Sequence, residues 1–484
     1  MEDIIREING FVWSQYFLIP LLLLTGVYLT FGLRLMSIIR LPYAIGQLFR
    51  KREDTEGDVS PFGALMTALS STIGTGNIAG VAAAIAIGGP GAVFWMWMTA
   101  IVGMATKYSE GVLALKFRET DEDGRHVGGP MYYIKNGLGK SWIWLAVIFA
   151  SFGVLAAWGT GASIQANSIA DALNSNYGIS PLITGGVLAL AAGAVILGGI
   201  TRIANVATKL VPLMAIGYLG AGLIVIFMHA DAIPGAFNMI FTGAFGLSSA
   251  GTGISIGLMM LAMQKGVARG IFSNESGQGS APIAHAAAKN TDPVNQGIVA
   301  MLGTVIDTLI VCTITALVIL TSGIVGPECI PTAENAATFL MNGQPAGCDT
   351  AAPLTAAAFG SSLPGVGEHI VAVSLTIFAF TTILGWSYYG ERCCEFLFGT
   401  KSIIPFRISW ILVTFLGAAA LVFEGEVANL VNLFWLVADT LTGLMAAPNL
   451  IALVLLSPLI FKLTKAYFAN EEARKKIASG EHHE

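Results

Sequence analysis

The sequence predicts an all-α polytopic membrane protein with about eleven transmembrane helices, and three observations carry that expectation. First, its 484 residues are 55% hydrophobic and only 11% charged, with a mean hydropathy of +0.72. A soluble chain carries roughly a quarter charged residues and a disordered one is poorer still in apolar groups, so both classes are excluded. Second, apolar runs of spanning length follow one another along the chain. Third, lysine and arginine alternate between successive connections, as expected of a chain that crosses a bilayer repeatedly. A net charge of −5 provides no basic face for a nucleic-acid partner, and the lipid bilayer is the partner implied.

Each crossing needs about 20 mostly apolar residues and must satisfy its own backbone hydrogen bonds, so each run is read as a helix. The runs are Phe11 to Leu33, Pro61 to Ile87, Ala92 to Leu115, Trp142 to Leu173, Pro181 to Ile200, Val211 to Met228, Gly251 to Ala288, Val294 to Ser322, Gly367 to Phe398 and Pro405 to Phe423. The first has no basic region before it and reads as a retained span, not a cleavable signal. Several exceed one straight crossing, which implies tilt or breaks. After Val427 the expectation is an interfacial helix to Asp439 and then a final crossing from Leu441 to Phe461. Two crossings divided at Pro448 would instead send Arg474, Lys475 and Lys476 outside.

Orientation follows from the basic residues. Arg40, Arg50, Lys51 and Arg52, then Arg118, Arg125, Lys135 and Lys140, then Arg202 and Lys209, then Lys289, then Lys401 with Arg407, fall in alternate connections. The intervening connections at 174–180, 228–251, 322–367 and 424–426 contain no lysine or arginine. The N-terminus is therefore expected outside and the C-terminus in the cytoplasm, with the chain in the cell (inner) membrane.

Two of the runs are interrupted. Ser70 to Gly80 (SSTIGTGNIAG) and Gly270 to Ser280 (GIFSNESGQGS) pile glycine and small polar residues into apolar segments. Such stretches unwind readily, because glycine weakens a helix and hydroxyl and amide side chains compete for its backbone groups. Their matching positions, with Ile203-Ala204-Asn205-Val206 echoed by Val427-Ala428-Asn429-Leu430, suggest two inverted five-helix repeats. The expected organisation is an extra helix and basic loop over 1–60, a first repeat over 61–229, an external connection over 230–250, a second repeat over 251–463 and a tail over 464–484. Close helix packing through glycine is the competing explanation for either cluster alone.

A broken helix exposes N–H groups at one new end and C=O groups at the other. Amides at Thr75 and Gly76 suit a carboxylate, and carbonyls near Phe272 and Ser273 suit an ammonium group. Thr72, Asn77, Thr381 and Thr382 offer hard oxygens for sodium, while Phe272 and Trp386 would limit the size of a bound molecule.

Ser70 to Gly80 followed by Gly88-Gly89-Pro90-Gly91-Ala92-Val93-Phe94-Trp95-Met96-Trp97, and later Phe272-Ser273-Asn274-Glu275, resembles the alanine or glycine:cation symporter family, also called sodium:alanine symporters. The resemblance runs over nearly the whole chain. It implies a leucine-transporter-like fold and import of small neutral amino acids, alanine or glycine, with sodium or a proton by alternating access. It also implies that Thr75 and Gly76 contact the substrate carboxylate, with Gln165 and Phe272 completing the pocket. Asn77 with the Thr72 carbonyl would form one cation site, and the Ser70 and Ile73 carbonyls with Thr381 and Thr382 the other. A passive amino-acid or ion channel, a sensor on the same fold and a membrane enzyme are the rival readings; no nucleophile or phosphate-binding motif supports the last.

Ionisable residues within spans are costly and are candidates by default. Glu275 would bind a cation or proton, or would pair with Lys265 or Arg269 to fix the broken helix, the second reading being favoured. Asp307 and Asp439 read as hydrogen-bonded within the bundle or as part of a cation path, and His285 as a packed polar residue. Trp95, Trp97, Trp142 and Trp144 read as interface anchors, and Arg125 to Gly139 as a short cytoplasmic helix, either gating or passive. Cys329 and Cys348 share the long external loop, where an oxidising compartment would permit a disulfide; Cys312, Cys393 and Cys394 read as packing residues or cytoplasmic-side thiols.

Overall fold

The computed structural model describes residues 2–14, 16–48, 56–246, 252–326, 329, 339, 348, 351–423 and 425–479. Among these, six helices are long and apolar enough to cross a membrane, and a bent pair around residues 73–75 makes a seventh crossing. The basic residues Arg50, Lys51 and Arg52 and most of the loop between 327 and 350 lie outside the described residues. Cys329 and Cys348 are joined by a disulfide.

The N-terminal run divides. An amphipathic helix, α1 (Glu2–Val12), is followed by a turn and then α2 (Leu18–Gly32), instead of one span from Phe11 to Leu33. Ser14 Oγ donates to the Phe11 carbonyl at 2.6 Å, which ends α1. The first broken helix comprises α3 (Pro61–Thr72), a π-helical turn at Gly76–Gly80 and α4 (Val81–Gly88). Ser60 caps α3 by accepting from the Gly63 N–H at 3.0 Å, with Pro61 in the first turn, where its missing N–H costs nothing.

Next come α5 (Gly91–Lys116), a small hairpin of β1 (Glu119–Thr120) and β2 (His126–Val127), and a short helical stretch over 130–138 within the segment expected to be helical. Helices α6 (Ile143–Ala156) and α7 (Ile164–Tyr177) are joined by a π-helical stretch at Ala157–Ser163. Then follow α8 (Pro181–Ile196), α9 (Gly199–Met228) and α10 (Ile233–Ala244). The second broken helix is α11 (Thr252–Asn274) and α12 (Ala281–Ala286). A crossing made of α13 (Pro293–Thr304), a π-helical stretch and α14 (Thr313–Thr321) leads to the helix α15 (Ala351–Ser362). Two long crossings, α16 (Gly367–Phe398) and α17 (Ile403–Ala419), precede the last helix.

That last helix, α18, runs unbroken from Gly425 to Ser479 with Pro448 and Pro458 inside it, so the expected division at Asp439 into an interfacial helix and a crossing is not found. Neighbouring helices supply the packing that keeps a proline-containing membrane helix continuous. Val12 and Trp13 press on Gly443, and Leu456 on Gly137.

The two broken helices run antiparallel at the centre. At one end Val59 bridges to Ala288, the Asp58 N–H donating to the Ala287 carbonyl at 2.8 Å. At the other, a Cβ on Gly88 would lie 2.8 Å from Lys265 Cβ. Helix α5 packs on α11 and α13, and glycine permits the closeness: a Cβ on Gly270 would sit 2.3 Å from Thr99 Oγ1 and one on Gly111 2.7 Å from Ala300 Cβ. Gly270, part of the second glycine cluster, therefore serves packing. The outer faces are apolar and exposed, with Leu190 77%, Ile216 72% and Phe227 72% accessible, as lipid-facing residues of α8 and α9 should be.

Candidate functional site

The first break arises because side chains take over backbone partners. Ser71 Oγ and Thr72 Oγ1 donate back to the Thr67 and Ala68 carbonyls, at 3.2 and 3.3 Å, which loosens the last turn of α3. The Gly74 N–H donates to Asn77 Oδ1 at 2.9 Å, and the Asn77 N–H to the Gly74 carbonyl at 3.3 Å. In a regular helix those two N–H groups would have closed onto the Ser70 and Ile73 carbonyls. The helix axis bends by 54° there.

The second break falls within the expected Gly270 to Ser280, just after Phe272 and Ser273, which form the last turn of α11. Glu275 adopts a φ of +55°, and Gly277 and Gly279 follow at +87° and +85°, a region open chiefly to glycine. The Ser276 N–H turns to Asn274 Oδ1 at 2.9 Å and the Gly277 N–H to Glu110 Oε1 at 3.2 Å, which strips the Phe272 and Ser273 carbonyls of their helical donors.

Between the breaks lies a small pocket. It brings together Thr72, Thr75, Gly76, Gln165, Phe272, Trp386 and Thr382 among the expected site residues. A Cβ on Gly76 would meet the Ser273 Cα at 3.4 Å and Phe272 Cδ1 at 3.5 Å, so the two unwound segments touch through this glycine. Gln165 donates through Nε2 to the Thr160 carbonyl at 3.2 Å, while its buried Oε1 has no protein partner. An orphaned buried acceptor costs about 1–3 kcal/mol, and a ligand donor would relieve it.

The remaining expected residues stand outside the cavity wall. Ser70 and Ile73 lie behind it, fully buried, with Ser70 Oγ donating to the Thr67 carbonyl at 2.7 Å. Thr381 and Thr382 divide: Thr382 Oγ1 would be 2.5 Å from a Cβ on Gly74, whereas the Thr381 hydroxyl donates to the Phe378 carbonyl at 2.9 Å and faces Met214. Asn77 is turned away from the cavity, its Nδ2 donating to Asp307 Oδ1 at 2.7 Å; Ser273 Oγ donates to Asp307 Oδ2 at 2.8 Å. Asp307 is thus hydrogen-bonded inside the bundle.

Glu275 lines the cavity, and neither Lys265 nor Arg269 is its partner. Trp386 Nε1 donates to its Oε1 at 2.8 Å and Ser280 Oγ to its Oε2 at 2.5 Å, because the reversal at Gly277 folds the chain back over its own carboxylate. Asp439 accepts from Asn9 Nδ2 at 2.8 Å, and His285 packs against Gln296 Nε2 at 2.8 Å. Among the described residues no group of three or more His, Cys, Asp or Glu is arranged to hold a metal ion. Trp95 and Trp97 are tied into the protein, donating to the Ala244 carbonyl and to Thr313 Oγ1 at 3.2 and 2.8 Å, while Trp144 is exposed.

Sequence reasoning missed Ser71, Thr160, Gln278 and Thr442 in the cavity wall. Thr160 had a signal, since Gly159-Thr160-Gly161 repeats the tripeptide Gly74-Thr75-Gly76. Its glycines let α18 and α16 close in: Cβ atoms there would lie 2.0 Å from Ala438 Cβ and 2.5 Å from Trp386 Cβ. Lys107 and Glu110 were missed as well, although an ionisable pair in an apolar run is itself conspicuous. Lys107 Nζ donates to the Asn274 carbonyl, and Glu110 Oε1 also accepts from Asn449 Nδ2 at 2.6 Å, so one basic and one acidic side chain cap the loose ends of the second break.

The family model of the sodium:alanine symporter family matches residues 1–480. The chain belongs to the sodium:alanine symporter family. This family member is 49% identical over 98% of either chain to the Sodium/alanine symporter AgcS of Methanococcus maripaludis. It is 40% identical, over 94% of its own length and 90% of the relative's, to the putative sodium/proton-dependent alanine carrier protein YrbD of Bacillus subtilis. Among solved structures, a Na⁺-coupled sialic acid symporter in its outward-open state matches 93% of this symporter and 98% of that chain, with a TM-score of 0.50 at 14% identity, which is a likeness of fold. The molecule is therefore a multi-pass, cation-coupled amino-acid symporter and not an enzyme.

Proposed function

We propose that this symporter imports small neutral amino acids, alanine and glycine, with sodium by alternating access. The observation that carries the reading is the pocket at the junction of the two breaks, small and walled by Gly74, Gly76, Phe272 and Trp386. The substrate carboxylate would rest on the Thr75 and Gly76 backbone, and its ammonium would meet Gln165 Oε1 and the carbonyls of Phe272 and Ser273. The Ser70 and Ile73 carbonyls, released from their helical donors, would hold one sodium ion with Thr382, flanked by Thr381; the Thr72 carbonyl beside Asn77 would serve a second. Each sodium entering gains about 2.3 kcal/mol per 100 mV of membrane potential, enough to concentrate a neutral amino acid.

The antiparallel course of the broken helices supports two inverted repeats over 61–229 and 251–463, and the basic connections support an outward N-terminus and a cytoplasmic C-terminus. A proton is the second candidate for the coupling ion, because Glu275 lines the cavity and Asp307 lies just behind it. The test is gradient-driven uptake and counterflow of labelled alanine and glycine in proteoliposomes, with sodium replaced by choline and, separately, with an imposed pH gradient. Uptake that persists in choline without a pH gradient would overturn coupled transport.

A further inference from the structure

Helix α11 carries Lys265 and Arg269 four residues apart, and so on one face, with Arg269 about 9 Å along the axis from the break at Glu275. Both border a second cavity, together with Gln264, Asn9 and Asp439. Phe272 lines this cavity and the central one alike. The Arg269 guanidinium lies 6.0 Å from the centre of that ring.

The charges of this vestibule are incompletely matched. Among the described residues neither Lys265 nor Arg269 has a carboxylate within the 4.0 Å of a salt bridge. The carboxylate facing Arg269 across the cavity is Asp439, which the N-terminal helix α1 already holds through Asn9 Nδ2 at 2.8 Å. Two half-buried cations one helical turn apart repel each other, and partial burial weakens the screening that relieves such repulsion at a surface. An anion placed between them and the Phe272 ring would neutralise that repulsion, and a zwitterion would in addition turn its positive end to Asp439.

We propose that this vestibule, roofed by α1, is a docking site in which Lys265 and Arg269 receive the carboxylate of an incoming α-amino acid before it passes Phe272. The inference rests on the transport reading above and adds a station to its path. A docking station lowers the barrier to passage in both directions and leaves the depth of the central site unchanged.

Association and dissociation of labelled alanine would be followed on the full-length detergent-solubilised protein in sodium, in chloride and in gluconate. Sodium-dependent binding by the unaltered protein is established first; its absence would sink the sodium-coupled reading on which the inference rests. The combined variant Lys265→Gln with Arg269→Gln is expected to slow association about tenfold, the low end of electrostatic steering, and to slow dissociation equally, leaving Kd within about twofold. Arg269→Lys should restore most of the rate, and added salt should slow the unaltered protein but not the double variant. An unchanged association rate would overturn the proposal, as would a Kd weakened in step with it, which marks damage to the central site. A difference between protein and variant that vanishes in gluconate would assign the two cations to chloride and equally overturn it.

Discussion

Replacing Gln165 by leucine separates a ligand-binding role from a structural one. In the folded protein Gln165 Nε2 makes one hydrogen bond, to the Thr160 carbonyl at 3.2 Å, and Oε1 is buried without a partner. Removing the side-chain amide loses about 0.5–1.5 kcal/mol for the bond made and regains about 1–3 kcal/mol for the acceptor left unpaired, so the unliganded protein should melt at the same temperature or slightly higher. In the proposed complex Oε1 would accept from the substrate's ammonium group, a charged hydrogen bond contributing about 1.5–3 kcal/mol. Loss of that bond corresponds to alanine binding weakened by about ten- to 150-fold. Equilibrium binding of labelled alanine and thermal unfolding, measured on the same preparation, check the two signs together. Unchanged affinity would refute the ammonium contact, and weaker binding accompanied by a clear fall in melting temperature would show that Gln165 acts by holding the helices.

Gly76→Leu should abolish alanine binding, because its Cβ already meets Ser273 and Phe272 at 3.4–3.7 Å and the added branch has only the cavity to occupy; Gly76→Ala, at ordinary contact distance, should keep most of it, as a binding isotherm would show. Asn77→Ala should weaken sodium activation of uptake and also lower the melting temperature, since the side chain holds both the Gly74 N–H and the Asp307 carboxylate; normal uptake with unchanged sodium dependence would count against the site. Glu391→Ala should destabilise the fold by about 3–5 kcal/mol, read by thermal melting. It removes the carboxylate that pairs with Arg407 at 2.6 and 3.0 Å and with Arg392 at 2.5 Å, inside a buried network that reaches the β-hairpin through Asp121.

The location of the breaks was legible because their causes are local. Glycine and hydroxyl residues at 70–80 and 270–280 weaken a helix wherever they stand, and both segments do lose their winding. The placement of Phe11 to Leu33 and of the residues after Val427 was misjudged, because apolar length alone does not reveal where a turn such as Ser14 ends a helix or that a helix continues through Asp439. The pairing assigned to Glu275 failed for a related reason. Lys265 and Arg269 lie near it in sequence, but the chain reversal at Gly277 turns the carboxylate towards Trp386, 111 residues away.

The sequence by itself determined that the chain lives in lipid and which two of its helices break, since these follow from apolar length, backbone satisfaction and glycine content within a few turns. Only the tertiary structure decided what captures the loosened ends: Asp307 for Asn77 across 230 residues, Lys107 for Asn274 across 167, and Asn449 for Glu110 across 339. Such partners meet because helices pack, and no local pattern records which polar group will face a given free carbonyl or amide once they do.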